Sequence, residues 1–238
     1  MTVCQYGDVS TVDSASGDEI VLMGDPRVAA IPVQESGAEL VDVRADNSLA
    51  VSDLRADETG AFAQVRTDVL ERLVHANRAL PGGMRLLIVE AYRPPALQSL
   101  YFEKYRDLLR AENPAWDSEH LLLAASRYVS PPAIAPHSAG GAVDLTLCTD
   151  EGGQLDLGTR VNATPEESSG ACYTGYRDLP SEARHNREVM AAALGEAGFV
   201  NYPTEWWHWS YGDRYWALTT GAACALYGPL DWRSDHTI

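Results

Sequence analysis

The chain has 238 residues, of which 45% are hydrophobic and 22% are charged, and its formal net charge at pH 7 is −16. This length supports a sizeable core in one large domain or two small ones, and the composition is that of an ordinary globular protein. The acidic balance excludes nucleic acid and anionic membranes as expected partners, because both require clustered Lys and Arg.

The N-terminal region predicts irregular structure with two short strand-like runs. Residues 1 to about 60 are rich in Asp, Ser and Gly, and the runs are "EIVLMG" at 19–24 and "AELVDVR" at 38–44. We interpret residues 1–40 as an irregular cover over a later core. They lack the basic and apolar regions of a secretory signal peptide, so a cytoplasmic protein is expected.

The remaining elements follow from periodicity and turn signals. Apolar residues at helical spacing predict a helix over 61–80, which "PGG" stops. In chain order there follow a buried strand in "MRLLIVEAYRPP" (84–95), helices at 95–112 and 117–129, a Pro/Gly/Ser loop at 130–141, a strand at 142–147, loops over 149–176, a helix over 179–199 and a strand at 205–211. In the last helix, Ser181 is the expected N-cap and Gly198 marks the end.

Nothing in the sequence divides the chain into units. It has no repeat, low-complexity tract or interior linker, so we predict one α+β domain over 1–238, with 217–238 as a C-terminal tail. No apolar stretch approaches the roughly 18 residues that span a bilayer. The cysteines are far apart and lack CxxC spacing, which favours isolated thiols in a reducing compartment, with a Cys148–Cys172 pair left open.

Two polar residues in the 130–147 region are candidate metal ligands. His137 lies in a Pro/Gly-flanked loop, and Asp144 follows in the adjoining predicted strand. The small residues "SAGGAV" between them allow a tight turn that brings both side chains together. A catalytic zinc site uses three protein ligands and one open position, so this pair needs a third partner.

The segment "EWWH" supplies that partner and a base. In a regular strand Glu205 and His208 would point to opposite faces, so either a bulge or a position of Glu205 just before the strand is required. His208 is then the third ligand, and Glu205 is the base that takes a proton from the metal-activated water. The neighbouring tryptophans are interpreted as core packing whose dry wall raises the pKa of Glu205.

Arg93, in "EAYRPP", is the fourth candidate. It follows a buried strand, and arginine is rarely buried without a partner. Its role is either a salt bridge, with Glu90 as the suggested partner, or stabilisation of an oxyanion or a substrate carboxylate. The local sequence does not choose between these roles.

Together, "AYRP", "HSAGGAVDLTL" and "GFVNYPTEWWHW" resemble the VanX-type D-alanyl-D-alanine dipeptidases within the zinc D,D-peptidases. The family pattern SxHxxGxAxD, followed some 60 residues later by ExxH, is represented by His137, Asp144, Glu205 and His208, and the likeness extends over about 40–216. The resemblance implies a small antiparallel sheet flanked by helices, the Hedgehog-like zinc D,D-peptidase fold.

The resemblance also implies a role for each residue. His137, Asp144 and His208 would bind one Zn²⁺ per chain, Glu205 would be the general base, and Arg93 would stabilise the transition state. The metal would lie in a confined cleft that admits a small dipeptide and excludes longer peptides.

Two substrate contacts depart from the family pattern. The family serine two residues before the first ligand is Ala135 here, which has no hydroxyl. The family aspartate that grips the substrate's amino group corresponds to Asn162 in "LGTRVN", a neutral side chain. Losing a charge-assisted hydrogen bond costs on the order of 1.5–3 kcal/mol, so an altered specificity is expected.

Three functions are consistent with these residues. The leading one is a zinc dipeptidase acting on a D-Ala-D-Ala-like substrate. The second is a non-haem iron tailoring enzyme for a small amino-acid-derived metabolite, because two histidines and a carboxylate also form the facial triad of such enzymes. The third is a non-catalytic metal-binding protein on the same fold. Glu205 argues against both alternatives, whereas Ala135 and Asn162 favour the third. Oligomeric state is not indicated by the sequence.

Overall fold

The computed structural model describes residues 20–232. Within them the strands are β1 (Leu40–Asp42), β2 (Ala50–Val51), β3 (Gln64–Arg66), β4 (Met84–Glu90), β5 (Ala142–Thr149), β6 (Val200–Asn201) and β7 (His208–Ser210). The α-helices are α1 (Pro26–Ala30), α2 (Thr67–Ala79), α3 (Pro95–Glu112), α4 (Ser118–Ala125), α5 (Pro165–Ser168), α6 (Ser181–Glu196) and α7 (Arg214–Thr220). Short 3₁₀ turns occur at Val43–Ala45, Asp53–Arg55, Ala61–Ala63, Pro132–Ile134 and His137–Ala139.

The strands form a five-stranded sheet and a separate two-stranded ribbon. The sheet order is β2-β4-β5-β7-β6, and β1 pairs with β3 in the ribbon. Only the β2–β4 pair of the sheet is parallel, and the other three pairs are antiparallel. Helices α2 and α6 pack together and contact the sheet, while α3 packs on α4. The predicted α+β architecture, a small sheet flanked by helices, is confirmed.

The main core lies between the sheet and the α2–α6 pair. The alternation of apolar side chains along β4 and β5 places Ile88 and Leu145 in it, and both are fully buried. Trp206 and Trp207 join the same cluster, with ring centroids 5.4 Å apart in an edge-to-face arrangement. The interpretation of these tryptophans as core packing is confirmed, and their burial contributes about 3–5 kcal/mol each relative to alanine.

The predicted helix over 61–80 is wrong at its start. Residues 61–63 form a 3₁₀ turn, and the backbone amides of Ala61 and Phe62 donate hydrogen bonds to the Asp57 carboxylate. Helix α2 begins only at Thr67. Between them β3 pairs with β1, and the Arg66 amide donates to the Gly140 carbonyl. The apolar residues of this segment have helical spacing, but an extended segment buries them as well. Strand pairing with β1 therefore overrides the helical pattern.

Three other local predictions need correction. Residues 20–24 of "EIVLMG" form no strand, because the Met23 amide donates to the Tyr202 hydroxyl rather than to a ladder. The predicted helix over 117–129 ends at Ala125. Pro180 is the N-cap of α6, and Ser181 is its first helical residue. Gly198, with φ of 87°, follows the end of that helix as predicted.

The C-terminal segment packs onto the domain as far as it is described. Tyr227 is buried in the main core, and the Leu230 carbonyl accepts a hydrogen bond from Tyr92. Cys148 and Cys172 are buried free thiols, so the open disulfide is not formed. No helix within residues 20–232 has the length and apolar character needed to cross a membrane. The single-domain prediction for 1–238 stays a prediction, and residues 1–19 and 233–238 lie outside the described residues.

Candidate active site

Strand register places three titratable side chains in a row across the sheet. Glu90 of β4 is the cross-strand partner of Asp144 of β5, next to a bulge in β4, and Asp144 is in turn opposite His208 of β7. Directly opposed residues share one face of a sheet, with side chains in contact. All three are less than 5% exposed, so this row forms the buried floor of a site.

His137 reaches this row from a tight turn before β5. The turn ends at Gly140, whose φ of 71° favours glycine, and the Gly141 carbonyl accepts a hydrogen bond from the Tyr211 amide at 2.9 Å. A Cβ on Gly141 would lie 2.6 Å from the Tyr211 carbonyl oxygen, so only glycine fits there. The His137 Nδ1 lies 2.6 Å from the Ala91 carbonyl and donates to it, which leaves Nε2 as a free ligand atom.

Glu205 and His208 lie on one side because the segment between them is a turn. β7 begins only at His208, and the His208 amide donates to the Glu205 carbonyl at 3.1 Å. The Asn201 side chain holds both ends of this turn, donating to the Glu205 and His208 carbonyls at 3.0 and 2.9 Å. Glu205 therefore precedes the strand, which is one of the two arrangements that the sequence required.

The three candidate metal ligands converge. His137, Asp144 and His208 each offer a ligand atom, all within 4.8 Å of one another. The Asp144 Oδ1 is 3.3 Å from His137 Nε2 and 3.0 Å from His208 Nδ1. Two ligands of one tetrahedral Zn²⁺ at normal bond lengths lie about 3.3–3.4 Å apart. The donor set, its spacing and the Ala91 contact behind His137 therefore fit a divalent ion.

Burial and charge set the ionisation of these ligands. Burial opposes ionisation of Asp144, but the contacts with His137 and His208 outweigh it and hold its pKa well below the ordinary value. Burial also lowers the pKa of His208, and Asp144 offsets this only in part. An ionised carboxylate and a neutral imidazole are the forms that bind metals.

Glu205 has the opposite environment. It is 7% exposed, and its Oε2 lies 3.8 Å from His208 Nδ1. Burial, reinforced by the negative charge of Asp144, raises its pKa well above the ordinary value, and Arg93 counteracts this only in part. Two neighbouring carboxylates with pKa values shifted in opposite directions are typical of a ligand beside a general base.

Arg93 is held rigidly beside this pair. Its Nε and Nη2 donate to the two oxygens of Glu90 at 2.7 Å each, and its Nη1 donates to Gln98 Oε1 at 2.8 Å. Gln98 in turn donates to the Ser130 carbonyl at 2.7 Å. The suggested Glu90 salt bridge is present, and Arg93 also lines the cavity described next, so both proposed roles are compatible. Glu90 raises the pKa of Arg93 against the opposing effect of burial, which keeps it charged.

A cavity of about 300 Å³ opens above the three ligands. Glu205, Arg93 and Asn162 line it together with the ligands, and helix α3 forms one wall. Sequence reasoning missed that wall and the aromatic lining. The missed lining residues are Arg55, Tyr101, Lys104, Tyr105, Leu108, Tyr128, Val129, Ser130, Thr164 and Tyr202. Along α3, lining residues recur at i, i+3, i+4 and i+7, a pattern that marks one helix face but not what the face contacts.

The two predicted substrate contacts differ in position. Asn162 is 8% exposed, has φ of 61° and lines the cavity, and its Nδ2 has no hydrogen-bond partner in the described part of the chain. Ala135 is fully buried and is not among the lining residues. The structure thus brings six of the seven predicted site residues to one cavity and leaves Ala135 behind its wall.

Comparison with known proteins identifies related sequences. The Peptidase M15 family model, described as D-ala-D-ala dipeptidase, matches residues 55–221. A D-alanyl-D-alanine dipeptidase of Synechocystis is 27% identical over 216 residues, covering 79% of this chain and 87% of the relative. A D-alanyl-D-alanine dipeptidase of Escherichia coli is 29% identical over 128 residues, covering 53% of this chain and 55% of the relative.

Among solved structures, similarity extends over most of the chain at low identity. The LdcB LD-carboxypeptidase has 16% identity and a TM-score of 0.45, covering 91% of this chain and 95% of its own. The vancomycin-resistance D,D-pentapeptidase VanY has 15% identity and a TM-score of 0.41, covering 92% and 97%.

Proposed function

The chain belongs to the D-alanyl-D-alanine dipeptidase family of metallopeptidases, whose model matches residues 55–221, and from this premise we propose that it hydrolyses a small D-Ala-D-Ala-like dipeptide with one zinc ion. The observation that carries this proposal is the meeting of two imidazoles, an aspartate and a glutamate of raised pKa in one cavity.

We assign His137, Asp144 and His208 as the ligands of a single Zn²⁺. Three protein ligands with one open position are typical of catalytic zinc. A zinc ion held there would supply Lewis-acid polarisation of a water molecule and of the scissile carbonyl. The hydrogen bond from His137 to the Ala91 carbonyl fixes the imidazole in the tautomer that this role requires.

Glu205 acts as the general base in this proposal. Its carboxylate removes a proton from the attacking water and then delivers it to the leaving amine nitrogen, so one group serves both proton transfers. Burial raises its pKa, which makes the carboxylate a stronger base than an exposed glutamate. The turn from Glu205 to His208 fixes its position relative to the ligands.

Arg93 stabilises the negative charge that develops on the carbonyl oxygen. Glu90 and Gln98 engage three of its five N–H donors, so two remain for a ligand in the cavity that Arg93 lines. A preorganised cation is worth more there than in water, because it need not reorient during the reaction. The Glu90 clamp therefore supports the role of Arg93 rather than competing with it.

The test is a panel of alanine dipeptides covering all four stereochemical combinations. We expect cleavage of D-Ala-D-Ala, loss of activity after chelation, and recovery on adding one equivalent of Zn²⁺. Glu188→Gln, an exposed glutamate on α6, serves as a folded control that should retain full activity. Protein that carries one zinc yet cleaves no dipeptide contradicts the proposal.

The iron alternative uses the same ligands, so the metal itself must be measured. Protein isolated without oxygen should contain zinc and show oxygen-independent turnover. Abundant iron and oxygen-dependent turnover would instead indicate a tailoring enzyme. We also propose a reducing, cytoplasmic setting, which the free buried thiols Cys148 and Cys172 support.

A further inference from the structure

The wall that α3 gives to the cavity carries the only lysine of the chain. Seventeen of the eighteen basic side chains are arginines, and Lys104 is the exception. It lines the cavity and is exposed. Within residues 20–232 no carboxylate lies within ion-pair distance of it. An unpaired cation at the rim of an active-site cavity is unusual in a protein with net charge −16.

The cavity carries charges of both signs. Its lining contains three cations, Arg55, Arg93 and Lys104, and two carboxylates, Asp144 and Glu205, both at the metal end. Arg93 is neutralised by Glu90, whereas Arg55 is 3.8 Å from the same carboxylate and forms only a loose pair. Arg55 thus lies beside Glu90 at the inner end, and Lys104 is the lining cation that no described carboxylate engages.

An acidic group that contacts the lining residue Tyr105 is already engaged. Glu166 accepts a hydrogen bond from the Tyr105 hydroxyl at 3.3 Å and pairs with Arg127 at 3.5 Å. Asn162 presents a neutral carboxamide to the cavity. A ligand ammonium would thus meet Lys104 and neutral groups at this end, whereas a ligand carboxylate would meet the unpaired charge of Lys104.

Helix geometry gives the spacing between the inner and outer cations. The Arg93 guanidinium lies 5.2 Å from the ring centroid of Tyr101 on α3. Lys104 is one turn further along the same face, about 4.5 Å along the helix axis. Leu108, which is 55% exposed, continues the stripe and offers apolar contact for methylene groups beyond. Arg93 is assigned to the carbonyl oxygen at the inner end, so Lys104 is the cation that remains for a carboxylate further out.

We propose that the preferred substrate is a dipeptide bearing a second carboxylate, which Lys104 binds at the cavity rim. This inference rests on the proposed dipeptidase function and narrows its substrate class. The second carboxylate belongs to an N-acyl group, as in N-succinyl-D-Ala-D-Ala, which replaces the free ammonium of the dipeptide. The substrate class is therefore a dianionic N-acyl dipeptide.

The experiment compares kcat/KM for D-Ala-D-Ala, N-acetyl-D-Ala-D-Ala, N-succinyl-D-Ala-D-Ala and D-Ala-D-Glu. The succinyl and acetyl compounds differ mainly by one carboxylate, so their ratio isolates its effect. Lys104→Gln should lower kcat/KM for N-succinyl-D-Ala-D-Ala about fivefold through KM, at low salt, and leave the other three substrates unchanged. Arg110→Gln removes a charge from the same helix outside the cavity and serves as the matched control.

The single lysine provides a second readout that does not depend on turnover. An amine-acetylating reagent modifies only Lys104 and the N-terminal amine, which peptide mass spectrometry distinguishes. The succinyl dipeptide should slow acetylation of Lys104 in the zinc-loaded protein, and the acetyl dipeptide should not. An equal effect of Lys104→Gln on all substrates, or no effect on any, overturns the inference. If no dipeptide is cleaved, the dipeptidase proposal fails, and protection of Lys104 alone then decides whether the rim binds dianions.

Discussion

Replacing Glu205 with glutamine tests the proposed base with little change of shape. General acid–base catalysis contributes about 10²–10⁴ in rate, so kcat should fall by that factor, or about 2.7–5.5 kcal/mol of transition-state stabilisation. A loss near the large end of this range is expected, because Glu205 is 7% exposed and no other carboxylate is available as a base. The other lining carboxylate, Asp144, is assigned as a metal ligand. Zinc content should not change.

The same variant should not destabilise the metal-free protein. Burial raises the pKa of Glu205 in the folded state, so folding favours its protonated form. Ionised Glu205 therefore reduces stability as pH rises above its unfolded pKa of about 4.3, and glutamine removes this penalty. Metal-free Glu205→Gln should equal or exceed the metal-free wild type in free energy of unfolding at pH 7, and the difference should vanish below about pH 4.

Steady-state kinetics, zinc analysis and urea unfolding at several pH values measure these effects together. Glu188→Gln, exposed on α6, controls for loss of a carboxylate as such. Retention of more than about a hundredth of wild-type kcat would refute the assignment of Glu205 as base, since the smallest expected loss is about a hundredfold. Loss of zinc in the variant would instead indicate that Glu205 is itself a zinc ligand.

Three further predictions follow from the same contacts. Arg93→Lys keeps the charge but loses the bidentate bond to Glu90, so kcat and Tm should both fall, whereas Arg110→Lys should change neither. Chelation should lower Tm, and re-adding zinc at about 100 times its Kd should restore about 2.7 kcal/mol of stability, an effect that His137→Ala should abolish. Arg93 lowers the pKa of Glu90 despite burial, so the stabilisation contributed by the Glu90 carboxylate is full above about pH 4.3 and is lost as pH falls through the lowered value. The free-energy gap between wild type and Glu90→Gln should therefore narrow on acidification, and a gap that widens contradicts this reasoning.

The sequence was sufficient to locate the site because its residues lie at points where local structure is constrained. The turn before β5 contains adjacent glycines, one of which has no room for a Cβ, and Glu205 and His208 flank buried tryptophans. Few backbone paths satisfy these constraints, so two distant motifs could be expected to meet. Burial also accounts for the strand at 84–90. The continuous apolar run predicted a buried strand in this part of the chain.

The wrong predictions arise where a tertiary partner decides between two local structures. Residues 61–66 have helical spacing, yet β3 pairs with β1, which lies about twenty residues earlier in the chain. Ser181 is a good N-cap by residue type, but Pro180 already has the extended backbone that precedes a helix. For residues 61–66 the deciding contact lies outside the local window, so propensity alone could not find it. The N-cap error is local and shifts the start of α6 by one residue.

The α3 wall shows the same limit at the level of function. Tyr101, Lys104 and Leu108 have the spacing of any exposed helical stripe, and only the packing of α3 beside the Arg93 clamp turns that stripe toward the candidate metal ligands. Residues that perform chemistry are constrained by ligand geometry and can be recognised by type. Residues that choose the substrate need only line the cavity, and many residue types can do so. For this reason the sequence can indicate the reaction, whereas the charge of the substrate must be inferred from the shape and charge of the folded cavity.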